Sequence, residues 1–398
     1  MNLAYGKFFI FILVWMISIS SRAIDPKATK GPSYKFEGNY FGDMFENFSG
    51  GLKKGPAYLS LLSLRGTFDL EAGLGIKGTT FFISLLGTQG RSPSSYVGDI
   101  HTTSNIEARA DTGKVYEAWL QKSFAGDRFS VLFGLYDLNS EFYTNVPASF
   151  FIDSSFGIGK ELSQTGKNGP SIFPVTSVGF RIKARPTREY YLESAVLDAV
   201  SGNPDNPYGT HVTYSPKEGV LLVNEVGWTP YSMKGKSDIG KLAFGSWSYS
   251  ATFDHLKEID GNGDPIQSNN SGFYILADHQ VLPGFYIFAR YGQAAEAVNQ
   301  YHSDFMSGVY SKGLLFNRKE DEFGLAFSML NHTDLYLEVQ NSAGTPVARS
   351  ETVYEISYKA VFNDNFALQP DIQYVINPGM DPTLANSLSG ILRLRFSF

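Results

Sequence analysis

The chain has 398 residues, 39 acidic against 33 basic side chains and a formal net charge of −6, with 40 Gly, 15% aromatic residues and no Cys. The missing cysteines exclude a disulfide framework and thiolate metal sites, and the acidic balance argues against a nucleic-acid binder, which would carry a basic patch or stripe. Such a length could make two or three ordinary domains, but abundant glycine and aromatic residues with few long helical patterns favour one many-stranded unit. A mean hydropathy of −0.14 leaves a membrane location open, because half of each strand in a membrane barrel faces water.

In chain order, Lys7 precedes an apolar run from Phe8 to Ile17, and small residues follow at Ser21 and Ala23. A charged start, a short apolar core and a small-residue cleavage site read as a signal peptide over 1–23. The competing reading, an uncleaved anchor, needs roughly 20 apolar residues, and this run is shorter. No comparable run follows, so no transmembrane helix is expected in the mature chain. Residues 24–50 form an N-terminal segment with a weak first strand, and 51–398 the main domain.

Period-2 alternation bounded by turn residues predicts strands over 58–70, 74–87, 113–124, 128–136, 175–185, 188–198, 219–228, 240–253, 271–281, 284–293, 321–330, 333–341, 351–361, 366–376 and 388–398. The last is the clearest: Leu392, Leu394, Phe396 and Phe398 fall on one face, Arg393, Arg395 and Ser397 on the other. Tyr354, Ile356, Tyr358, Ala360 and Phe362 alternate with Glu355, Ser357 and Lys359 in the same way, and Phe180 and Ile182 with Arg181 and Lys183. A barrel in lipid needs this sorting, because Arg or Lys on the lipid face at mid-depth costs roughly 2–4 kcal/mol. In 190–198 Glu193 and Asp198 have opposite parity, which requires a bulge or an Asp198 beyond the membrane.

Short connections at 125–127, 186–187, 282–283, 331–332 and 363–365 alternate with long ones at 88–112, 137–174, 199–218, 254–270 and 294–320, the pattern of periplasmic turns and outer loops. A chain that enters from the periplasm needs one more outward strand before 58–70, expected within 36–50 around Tyr40 to Phe45. The predicted fold is all-β: a closed antiparallel transmembrane barrel of about 16 strands, wide enough for a water-filled channel. One loop, 137–174, is expected to fold into the lumen, since so long a segment without regular pattern is functional or disordered and its aromatics argue against disorder.

From about Gly50 onward the chain resembles the OprB-like carbohydrate-selective porins of Gram-negative bacteria. The resemblance is carried by 116–121 with Tyr116, Glu117 and Trp119, by 134–142 with Asp137 and Asn139, by 169–174, 198–210, 272–278 and 290–293, and most clearly by 368–378 with Asp371 and Tyr374. It implies a sixteen-stranded sugar channel, usually narrowed by an inward-folded loop. The family's N-terminal GDWGG run stands here only as Gly42, Asp43 and Met44 with separate Gly50 and Gly51, a departure in the N-terminal plug and first strand.

A sugar offers hydroxyls and apolar C–H faces, so a constriction should combine charged or amide groups with aromatic rings. Lumen-parity candidates are Arg65, Glu117, Trp119, Arg181, Glu225, Asp278, Arg290, Glu355, Asp371, Gln373, Arg393 and Arg395, and the loop adds Asp137, Asn139, Phe150, Phe151 and Asp153. Against this stands the reading that the wall charges only pair with one another and that the loop packs on the rim. The glycines at 73, 75 and 78 match a dinucleotide fingerprint, but a strand follows them, so they read as a turn. Asp260, Asn262 and Asp264 resemble the start of a calcium loop, with Pro265 where the EF-hand glycine belongs; a solvated turn is the competing reading.

The expected function is passive diffusion of mono- or oligosaccharides and similar small solutes across the bacterial outer membrane, with no cofactor, no enzymatic activity and no nucleic-acid partner. The expected partners are the carbohydrates and outer-membrane lipids, with monomer and homotrimer both open. The alternatives are a general or ion-selective porin and a barrel hydrolase, the latter resting on His279 alone.

Overall fold

In the computed structural model, which describes residues 33–214, 216–230 and 239–398, sixteen antiparallel strands pair in chain order and close through the first and last. They are β1 (Tyr34–Ser49), β2 (Gly55–Asp69), β3 (Thr79–Gly90), β4 (Thr112–Phe124), β5 (Phe129–Tyr136), β6 (Ser177–Ala184), β7 (Tyr190–Asp198) and β8 (Val220–Trp228), then β9 (Gly240–Ile259), β10 (Pro265–Leu282), β11 (Phe285–Ala294), β12 (Tyr301–Lys312), β13 (Glu322–His332), β14 (Ser350–Asn363), β15 (Phe366–Ile376) and β16 (Ser387–Ser397). The signal peptide expected over 1–23 lies outside the described residues. The weak first strand is present as β1, which pairs Asp43 with Arg393 and Phe41 with Arg395 to seal the wall.

Alternation sets the faces. Ile356, Leu392 and Phe396 are 44%, 38% and 43% exposed, whereas Arg181, Arg290 and Glu355, of the opposite parity, are each 1% exposed. The greasy side chains point out and the charged ones in, the reverse of a water-soluble domain. Asp198 is the last residue of β7 and the pairings of β7 show no register shift, so its parity is resolved at the strand end rather than by a bulge.

Two expectations fail and cancel in the strand count. Residues 294–320, expected as an outer loop, contain β12. Its outward face carries Ser303, Ser307 and Ser311 and its inward face Gly308, so the apolar alternation is thin. Residues 333–341, expected as a strand, form the helix Asp334–Ser342, which Thr333 caps by accepting from the Tyr336 N–H at 3.2 Å. Alternation of Leu335, Leu337 and Val339 fits a strand, but the Thr cap followed by an acidic first residue is a helix start. The connection at 331–332 is therefore an outer one, and β13 runs outward.

β3 begins at Thr79 rather than 74 because Asp69 caps a one-turn helix, Leu70–Leu74, and Gly75 ends it at φ 75°; the glycines of the fingerprint lie in this turn. The strands of the 254–270 region continue past the membrane: β9 and β10 span 20 and 18 residues, against the roughly 9–11 that a tilted strand needs to cross. Asp260 closes their tip by accepting from Asn262 and Asp264 N–H at 2.8 and 3.0 Å, which is turn chemistry rather than a calcium loop.

Candidate functional site

The loop between β5 and β6 turns into the lumen at its first residue. Asp137 caps the turn Leu138–Ser140, accepting from Asn139 N–H at 2.8 Å, and its other oxygen accepts from the Tyr116 hydroxyl at 2.7 Å. Glu141 then pairs with Arg181 at 2.7 Å and Lys183 at 3.2 Å. Beyond it the backbone is caught by carboxylates of the wall. Tyr143 N–H donates to Glu225 at 2.9 Å, and Ile152 and Asp153 N–H donate to the two oxygens of Glu355 at 2.6 and 2.9 Å. Loop carbonyls are caught in turn: Arg290 donates to Ser155 O and Gly157 O at 2.7 and 3.0 Å while pairing with Asp304 at 2.9 Å, and Gln369 donates to Phe150 O at 3.0 Å.

Apolar contacts complete the seat. Phe150, Phe151 and Phe156 pack on Phe288, Met306 and Ala326 of β11–β13. Gly292 lets the loop approach, since a Cβ there would stand 1.9 Å from Glu161 Oε1 and 2.3 Å from the Tyr143 hydroxyl. Tyr143 itself holds φ 64°, a conformation uncommon outside glycine, and its ring covers the Arg290 guanidinium at 5.0 Å.

A second loop, 91–111, dips in beside the first. His101 Nδ1 lies 2.6 Å from Glu351, and Ser104 donates at 2.7 Å to Asp43, which also holds Arg393 at 2.7 and 2.8 Å. Lys160 of the longer loop joins the two by donating to Ser154 at 2.8 Å and Thr102 at 3.3 Å. Burial and the nearby Glu351 push the Asp99 carboxyl up to about 7, and burial pushes Asp153 up to about 6. Burial opposes charge on His101, but its hydrogen bond to Glu351 and the negative charges of Glu351, Asp153 and Asp304 together raise it.

These contacts divide the expected site residues. Glu117, Arg181, Glu225, Arg290, Glu355, Asp371, Gln373 and Arg393 are buried, as are Phe150, Phe151 and Asp153. All but Asp371, which is bonded within the wall by Gln373 at 3.1 Å, anchor or form the folded loops, a correction to their expected role as solute contacts. Parity placed them inside, but loop backbone covers them. Arg65 remains exposed, and Trp119, Asp137, Asn139, Asp278 and Arg395 remain partly so.

Residues not anticipated complete the picture. Asp43, Asp304 and Glu351 act as anchors, and Phe41 and Phe82 add rings on the uncovered side. Phe82 stacks on Trp119 with centroids 4.8 Å apart, and Arg393 and Arg395 each lie 5.7 Å from the Phe41 ring. Asp43 was legible as the acid in 42–44; the loop partners of Asp304 and Glu351, the Lys160 N–H and His101, lie 144 and 250 residues away and left no local trace. His279 faces outward and is exposed.

A sequence model of the family described as carbohydrate-selective porin, OprB family, matches residues 53–398. Porin B of Pseudomonas aeruginosa is 23% identical over 408 residues, covering 93% of this chain and 88% of that protein. Porin AaxA of Chlamydia abortus is 23% identical over 277 residues, 68% of this chain and 54% of that one. Among solved structures, the high-pH structure of Pseudomonas putida OprB superposes with a TM-score of 0.81 at 20% identity, covering 92% of this chain and 94% of that one. The outer-membrane channel DcaP of Acinetobacter baumannii gives 0.57 at 13% identity, covering 92% and 97%.

Proposed function

The chain belongs to the carbohydrate-selective porin, OprB family, and is a bacterial outer-membrane channel for passive diffusion of carbohydrates; on that premise we propose that the sugar is read on the part of the arc from β16 through β1 to β4 that neither folded loop covers. The observation that carries this reading is the seat of the 137–176 loop, which occupies the β8–β15 side and leaves Arg65, Arg395, Trp119, Asp137 and Asn139 accessible. Rings supply faces for C–H stacking, and the charged and amide groups bond hydroxyls. Contacts of this kind are weak and repeated, so solute enters and also leaves.

Both signs of charge stand on this arc, which favours neutral mono- and oligosaccharides over strong selection of either ion. The outward apolar face suits outer-membrane lipid, and one chain closes a whole pore, whether alone or in a homotrimer. Family members are channels, and the outward His279 offers a hydrolase no enclosed site. Liposome swelling with neutral hexoses and disaccharides, against charged solutes of equal size, tests the reading. Faster entry of neutral sugars, weakened by Trp119→Ala, is expected; equal rates for all solutes would make the channel a general porin.

A further inference from the structure

Above the constriction, loops 91–111, 137–176 and 199–219 enclose a cleft of about 30 Å³ whose lining includes Arg109, Lys114 and His211 with the amides of Asn168, Asn203 and Asn206, and no Asp or Glu. We infer that this cleft is a second binding site, which takes the oxyanion of an acidic sugar, a carboxylate or phosphate, before the sugar reaches the arc.

Lys114 opposes Leu86 and shares a face with Thr112, opposite Thr88; Leu86 and Thr88 are buried, so Lys114 points inward. Its half-buried ammonium has no hydrogen-bond or ion-pair partner among the described residues. Arg109 gives one N–H to Asn168 Oδ1 at 2.9 Å, and its other donors have no partner among the described residues. Three carboxylates of the same loops are held elsewhere, Glu107 by Ser94 at 3.2 Å, Asp111 by Gly90 N–H at 2.8 Å and Glu218 by Lys167 at 2.7 Å, and Asp205 is exposed and does not line the cleft. A partly desolvated cation without a counter-charge favours an anion, and charge-assisted hydrogen bonds are the strong ones.

Size narrows the ligand. The cleft has room for about two water-sized groups, which suits an oxyanion and not a sugar ring, so the ring must lie in the open vestibule, its hydroxyls toward the asparagines. The walls are firm, because Gly209 N–H donates to Thr112 Oγ1 at 2.9 Å and Thr210 Oγ1 to Val115 O at 2.7 Å.

The inference rests on the porin reading, and the test separates the two. Titration calorimetry of the full-length protein with glucuronate and with glucose is paired with liposome uptake of glucose. Glucuronate should bind about tenfold tighter than glucose, should lose that margin in Lys114→Met, and should keep it in Lys114→Arg. The margin should also shrink as salt rises from about 0.1 M to about 1 M. Equal binding of the two sugars by the unaltered protein, or a margin that survives Lys114→Met with Arg109→Gln, would overturn the site. A margin lost equally in Lys114→Arg would overturn the role of charge. Absent glucose uptake by the unaltered protein would instead overturn the porin reading.

Discussion

The lumen wall has two halves built from the same alternation. On β8–β15, inward Glu225, Arg290, Glu355 and Gln369 are covered by the 137–176 loop and bond its backbone. On β1–β4 and β16, inward Arg65, Phe41, Trp119 and Arg395 keep access to water. Identical parity therefore yields two jobs, scaffold and solute contact, and what separates them is whether a loop arrives. A buried charge that bonds main chain holds a constriction in place; the same charge left open can meet a hydroxyl.

Breaking the covered half should have the largest effect. Arg290→Met strands Asp304 and frees two loop carbonyls, and losing one partner of a buried pair costs roughly 3–5 kcal/mol. The loop should loosen, with larger, noisier single-channel conductance and protease cleavage within 137–176; an unchanged conductance would mean that the other anchors seat the loop without Arg290. On the open half, Trp119→Ala should weaken sugar block of the current by about tenfold, or about 1.4 kcal/mol, while leaving the loop protected.

The covered half should also respond to pH. Asp99 is raised from 3.8 to about 7 and Asp153 from 3.8 to about 6, so the folded state holds their protons more tightly than the unfolded chain. Their charging penalty is absent below about pH 4 and grows until it is complete near about pH 7. His101, also raised, acts with the same sign but above about pH 6.5, where its favourable charge begins to be lost. Hydrogen exchange in 91–111 and 137–176 should therefore speed up as pH rises through this window, after correction for intrinsic rates, and Asp99→Asn should flatten the change. The smallest effect is expected from Arg65→Gln, which should shift the zero-current potential in a salt gradient a few millivolts toward cation preference, on the order of kT for one exposed charge; no shift would remove Arg65 from the path.

Much of this was legible in local pattern. Successive strand side chains point oppositely, so Arg393 against Leu392 or Glu355 against Ile356 suffices to assign faces and, repeated along the chain, a barrel. Legibility failed where local signals were thin or double. The serines and glycine of β12 gave little alternation, and 334–342 satisfied both periods until the Thr333 cap formed. By itself, then, the sequence determined the barrel, its polar interior and which loop was long enough to enter it. Only the tertiary structure decided which inward side chains meet water, because that depends on contacts such as Glu355 with Ile152 and Asp153, two hundred residues apart, and no short-range period carries information over that distance.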